Sequence, residues 1–165
     1  MKLYYFKKGV PDVTEARQVK KKKPQRKWLM PQEVEVWYVL PAIRRELSKF
    51  MKFKRGLAQK SIARMLGVTE PAVTQYMLSK KDKPKRSRGD QVDIPEEFEP
   101  EIEASADAII DAWTSGGPTD RAFETTTREI NRLIGVMRNA GLLCEIHREH
   151  CQGVHQDCDA CEKGA

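Results

Sequence analysis

Residues Leu57–Tyr76 read LAQKSIARMLGVTEPAVTQY, and nearly every position in this stretch has a geometric reason to be what it is. From Gln59 to Leu66, the apolar residues Ile62, Ala63, Met65 and Leu66 have the spacing of one buried helix face. Gly67 follows at once, where a helix ends and a left-handed residue is wanted. Thr69 can cap a second helix, with Glu70 and Pro71 in its first turn, where acidic residues and proline are favoured. Val73, Tyr76 and Met77 lie at i, i+3 and i+4 and would pack inward. The segment predicts two short helices joined by a tight glycine turn, within an all-α fold.

Ala72, Thr74, Gln75 and Ser79 are left outward, small or hydrogen-bonding, as a face that reads base edges in a DNA major groove requires. A helical hairpin that only packs a core shows the same pattern, and the flanking charge separates the two. Lys80, Lys81, Lys83, Lys85, Arg86 and Arg88 follow the second helix; Arg44, Arg45, Lys49, Lys52, Lys54, Arg55 and Lys60 precede it. The expectation is a helix-turn-helix whose DNA contacts are Gln59, Lys60, Thr69, Glu70, Ala72, Thr74, Gln75, Ser79, Lys80 and Lys81. Gln75 suits adenine, while Lys60, Lys80 and Lys81 suit phosphates.

The formal net charge of +6 conceals a division. Residues 1–88 hold 24 Lys and Arg against 7 Asp and Glu, whereas residues 89–165 hold 6 against 17. A basic half joined to an acidic half points to a polyanion partner for the first alone. No stretch approaches a membrane span or a secretion signal, so a cytoplasmic protein is expected. In that reducing compartment four cysteines argue for metal or redox chemistry over structural disulfides.

Residues 1–30 read as a basic, flexible extension, with Lys20–Lys23, Arg26 and Lys27 at its centre. Residues 31–88 form the expected DNA-binding domain, opening with a helix from about Gln32 to Met51 that Pro41 either kinks or splits. Lys80–Gly89 is a polar linker, and Asp93–Pro100 reads as extended or irregular. Residues 89–140 supply two helices, one near Glu101–Thr114 and a longer one capped by Thr119 or Asp120. The second carries Phe123, Thr127, Ile130, Leu133, Ile134 and Met137 on one side, a near-3.5 spacing that suits its neighbour or a second subunit.

Residues 141–165 read as a short irregular tail holding all four cysteines and all three histidines, Cys144-x6-Cys151-x6-Cys158-x2-Cys161 with His147, His150 and His155 between them. His150 and His155 fit exposed loop positions. Two metal readings stand. An iron–sulfur cluster uses Cys144, Cys151, Cys158 and Cys161 and tolerates irregular spacing because its corners are separately ligated. Zinc would take Cys158 and Cys161 as one close pair and Cys144 with His147 as the other, leaving Cys151 unused. An unbroken helix would set Cys144 and Cys151 ~10.5 Å apart, so a four-thiolate site needs a bend. A disulfide switch in the CxxC pair is a third option. No Gly-rich phosphate loop and no spaced carboxylate pair supports an enzyme or a small-molecule substrate.

The runs VWYVLPAIRREL (Val36–Leu47) and GLAQKSIARMLGVTEPAVTQY (Gly56–Tyr76), with CDAC at Cys158–Cys161, give the chain a resemblance. It is similar to the archaeal predicted transcriptional regulators of the lambda-repressor-like, Xre-type class over roughly residues 31–161. The resemblance implies a helical DNA-binding domain, a homodimer, and a C-terminal cysteine site able to hold an iron–sulfur cluster. Together these readings make the expected protein a sequence-specific regulator that senses redox state or iron; the alternative is a DNA-binding protein with a purely structural zinc.

Overall fold

Pro31 begins a helical rod, and a computed structural model of the chain, which describes residues 28–78, 88–117, 119–158 and 160–161, shows how far it runs. The Glu33 carboxylate accepts the Met30 N–H at 2.8 Å, occupying a donor that every helix start leaves open. Helix α1 (Pro31–Val34) passes directly into five residues of π-helix, Glu35–Val39, and then into α2 (Leu40–Phe53). Pro41 lies just past that π stretch. It has no N–H to give, and its ring would strike the carbonyl four residues back in a regular α-turn. The wider turn relieves this, with the Leu40 N–H reaching back five residues to the Glu35 carbonyl. Where the sequence leaves a kink or a split, the chain stays helical through Pro41.

Helix α3 (Gln59–Leu66) ends at Gly67, whose φ of 61° is left-handed, and α4 (Glu70–Met77) starts from Thr69. The Thr69 Oγ1 accepts the Ala72 N–H at 3.4 Å, and Pro71 occupies the first turn. A single 3₁₀ turn, Glu96–Phe98, leads into α5 (Glu99–Gly116), so the stretch expected to be irregular is already turning, with Phe98 buried. Gly117 at φ 69° reverses the chain, Thr119 caps α6 (Asp120–Asn139), and Gly141 at φ 83° passes it into α7 (Leu142–His150).

This last helix corrects the sequence expectation of an irregular tail. Leu142, Leu143 and Ile146 drive it into the core, and Cys144 and His147 go in with them. The buried face of α6 is Ala122, Thr126, Ile130, Leu133 and Met137, not one through Phe123 and Thr127, both of which are exposed. Thr126 is tolerated there because its hydroxyl accepts from the Trp113 indole at 3.1 Å.

Leu47 and Met51 of α2, Ile62 and Leu66 of α3, Ile109 of α5, Leu133 and Met137 of α6 and Ile146 of α7 belong to one apolar cluster. Residues 31–88 and 89–140 therefore share a core, and the apolar seam of α5 and α6 is used within the chain. The described residues are helical throughout their regular structure, without a strand, and hold no helix long and apolar enough to cross a membrane.

Candidate functional site

Two groups of side chains stand out, the outward surface of α3 and α4 and the cysteines around α7. On the first, Lys60 and Arg64 lie one turn apart on α3 and both are exposed. Thr69, Glu70, Pro71 and Thr74 are exposed on α4, while Gln59, Ala72 and Gln75 are half-buried. The Thr74 hydroxyl donates to Gln59 Oε1 at 2.9 Å, a bond that ties the start of α3 to the middle of α4 and fixes both side chains. Ser79, Lys80 and Lys81, like the basic runs at residues 20–27 and 80–86, lie outside the described residues.

The basic flank is partly spent on structure. Arg45 is 2% exposed. Its Nε donates to Glu46 at 2.7 Å and its Nη2 to the Val92 carbonyl at 3.1 Å, with Asp90 and Asp93 completing its surroundings. Arg55 is bound through two nitrogens to Asp107, at 2.8 and 2.7 Å, and lies near Glu103. Lys49 pairs with Glu46 at 3.3 Å. The acidic half thus folds against the basic half, which the charge division alone does not show.

The underside of α4 is set by two close approaches. Tyr76 is buried, and burial raises its phenol above the ordinary value, against the opposing pull of Arg44. A Cβ added to Gly89 would sit 2.9 Å from the Pro41 carbonyl and 3.0 Å from the Tyr76 ring, so only glycine fits. At the other end, the Phe123 ring of α6 lies against Gly67, 3.2 Å from where a Cβ would stand. Sequence reading puts Phe123 on the packing side of α6 but does not give this contact, made with a residue 56 positions away.

Around α7, Cys144 and Cys151 are buried, whereas Cys158 and Cys161 are half-buried. Cys161 is hydrogen-bonded to Cys144 and within electrostatic reach of Cys158. Burial, followed by the Cys144 sulfur, pushes its thiol up to about 11, with Arg138 pulling the other way. Arg138 itself is hydrogen-bonded to Glu35 through Nε at 3.1 Å. Cys161 thus senses two of the other three cysteines.

Cys151 stands apart, because α7 is unbroken between it and Cys144. Its sulfur accepts the Leu29 N–H at 3.3 Å. His147 Nε2 donates to the Leu29 carbonyl at 2.7 Å. His150 packs on the Tyr38 ring with centroids 4.1 Å apart, so it is not the exposed loop residue expected. His155 is exposed, as expected, and lies 3.5 Å from Asp157. Among the described residues, no three Cys, His, Asp or Glu side chains converge as tightly as a single ion demands. The donor set of Cys144, Cys158 and Cys161 nonetheless has the chemistry of a thiophilic metal site.

Compared with protein-family models, curated proteins and solved structures, the chain matches none.

Proposed function

We propose that the protein is a sequence-specific DNA-binding regulator in which α3 and α4 form a helix-turn-helix and the cysteines around α7 hold an iron–sulfur cluster that reports redox state or iron. The observation that carries the DNA reading is the capped, glycine-turned pair itself. Its polar outer surface, with the Gln59–Thr74 bond already made, has Lys60 and Arg64 beside it. Thr74 and the accessible part of Gln75 would meet base edges, and Lys60 and the sequence-flanking Lys80 and Lys81 would meet phosphates. Pairing of two copies on half-sites about 34 Å apart belongs to the proposal. Since the α5–α6 seam is consumed internally, that pairing falls to exposed side chains such as Val36 and Trp37.

The thiols of Cys144, Cys158 and Cys161, which interact electrostatically, supply donors of the kind that a cluster with separately ligated corners takes. Such a cluster supplies one-electron chemistry. The chain's own part is to hold Cys144 on the buried face of α7 and to place Arg138 near Cys161. A structural zinc is the second reading, favoured by His147 lying one helical turn from Cys144 on that same face.

Selection from random duplex DNA tests the first part. One enriched motif is expected, with Gln75→Ala losing preference at one position by about 1–3 kcal/mol and Lys60→Ala weakening all sequences alike. Binding that is purely salt-dependent and indifferent to sequence would sink it. Anaerobic purification tests the second. Brown protein containing iron and sulfide supports the cluster, whereas colourless protein with one zinc that survives Cys151→Ser supports the alternative.

A further inference from the structure

Arg45 and Arg55 fasten the α2 segment to the chain opposite it at two points. Arg45 donates to the Val92 carbonyl and lies 3.3 Å from the Asp93 carboxylate. Arg55, just past the helix end, is held by Asp107 at 2.7 Å, with Glu103 at 3.4 Å. Between these clamps the two segments part and leave a cavity of about 280 Å³. Its lining falls between the clamp residues on both sides, within 46–54 on one wall and 94–102 on the other.

The floor of the cavity is apolar. Phe50 and Ile102 are buried and Ile94 is half-buried, while Phe53 is 68% exposed, a large ring that the core does not cover. The charges around it are of both signs. Glu46 and Lys49 answer one another at 3.3 Å. The side chains of Lys54, at the end of α2, and of Glu96 and Glu99, leading into α5, make no ion pair or hydrogen bond among the described residues. One wall therefore offers an ammonium and the other two carboxylates, over an apolar floor.

We propose that this cavity binds a free α-amino acid with a large apolar side chain. The ligand carboxylate would meet Lys54, its ammonium Glu96 and Glu99, and its side chain Phe50, Ile94 and Ile102. Each charge then finds its opposite, and the apolar group leaves water for a surface that is already apolar. An apolar acid without the ammonium would bring its charge toward two unanswered carboxylates, and an apolar amine would leave Lys54 unpaired. The volume sets the scale. Ligand pockets run from about 300 to 1,000 Å³, so this one takes a small molecule and not a dinucleotide or a folded peptide. Both clamps are closed already, so little ordering is needed on binding. No residue of α3, α4 or α7 lines the cavity, and the inference stands apart from the DNA and cysteine readings.

Calorimetric titration of the full-length protein tests this. The probes are L-leucine, L-phenylalanine and, for each, the acid lacking the ammonium and the amine lacking the carboxylate. Saturable one-to-one binding of at least one amino acid is expected, with its two analogues each about tenfold weaker, the worth of one charge-assisted contact. Amide NMR should place the shifts at Phe50, Ile94 and Ile102.

Lys54, Glu96 and Glu99 are exposed, so their substitution leaves the core intact. Lys54→Met should weaken the amino acid and the acid about tenfold and spare the amine. Glu96→Gln with Glu99→Gln should weaken the amino acid and the amine and spare the acid. Binding of neither amino acid, an analogue as tight as its parent, or an affinity indifferent to both variants would each overturn the site.

Discussion

Gly67 carries two constraints at once. Its φ of 61° is left-handed, and the Phe123 ring occupies the space beside it. Gly67→Ala should cost about 1–2 kcal/mol from the backbone alone, read as a shift in the urea midpoint with an unchanged slope. Tyr76 offers a test by pH. Its phenol is raised in the folded state, so the protein favours the neutral form. Its contribution is fully present below the ordinary phenol pKa of about 10 and is lost as pH rises through the folded value. Wild type should lose stability over that alkaline range to a degree that Tyr76→Phe does not, as measured by denaturant melts at stepped pH. Residues of this kind differ in how readable they are. Gly67, Thr69 and Pro71 announce themselves because their causes are local. Arg45 does not: it looks like one more flanking cation, and only Val92 and Asp90, some 45 positions on, make it a buried brace.

Helices were legible where an apolar period ran between recognisable ends, and obscure where one residue type had two meanings. Leu142, Leu143 and Ile146 carry a helical face, but the cysteines and histidines among them read as ligands of an irregular chain, which hides α7. The π turn before Pro41 was hidden for another reason. Proline signals trouble with a regular helix without saying which remedy the chain adopts. Helix α4 is only eight residues long and buries just Val73 and Tyr76, so its start matters unusually. Thr69→Ala should cost about 1 kcal/mol. Because the frayed turn is the one that carries Glu70 and leads to Thr74, the proposed DNA affinity should fall before overall helicity by circular dichroism does.

For the molecule as a whole, the charge division suggested two independent parts, whereas the packing joins them. The signs that separate in sequence meet in space, Arg55 with Asp107, Arg45 with Asp93 and Arg138 with Glu35. The prediction is a single calorimetric transition for the full chain. A fragment ending at Asp90 should lack cooperative structure, since Leu47, Met51 and Ile62 would lose the α5 and α6 side chains that cover them. Two separated transitions, or a fragment that melts sharply by itself, would restore the two-domain view.

Helix α6 gives this joined core a mechanical property. Phe123, near its start, leans on the turn at Gly67, and Arg138, near its end, is fastened to Glu35 beside Cys161. The two lie about 22 Å apart on one stiff beam. A pivot of about 5° at the Arg138 end swings Phe123 through roughly 2 Å. That is most of the length of a hydrogen bond to a base. Under the proposed function, leverage of this size would let a small change of angle at the sulfur end shift the far end in or out of register.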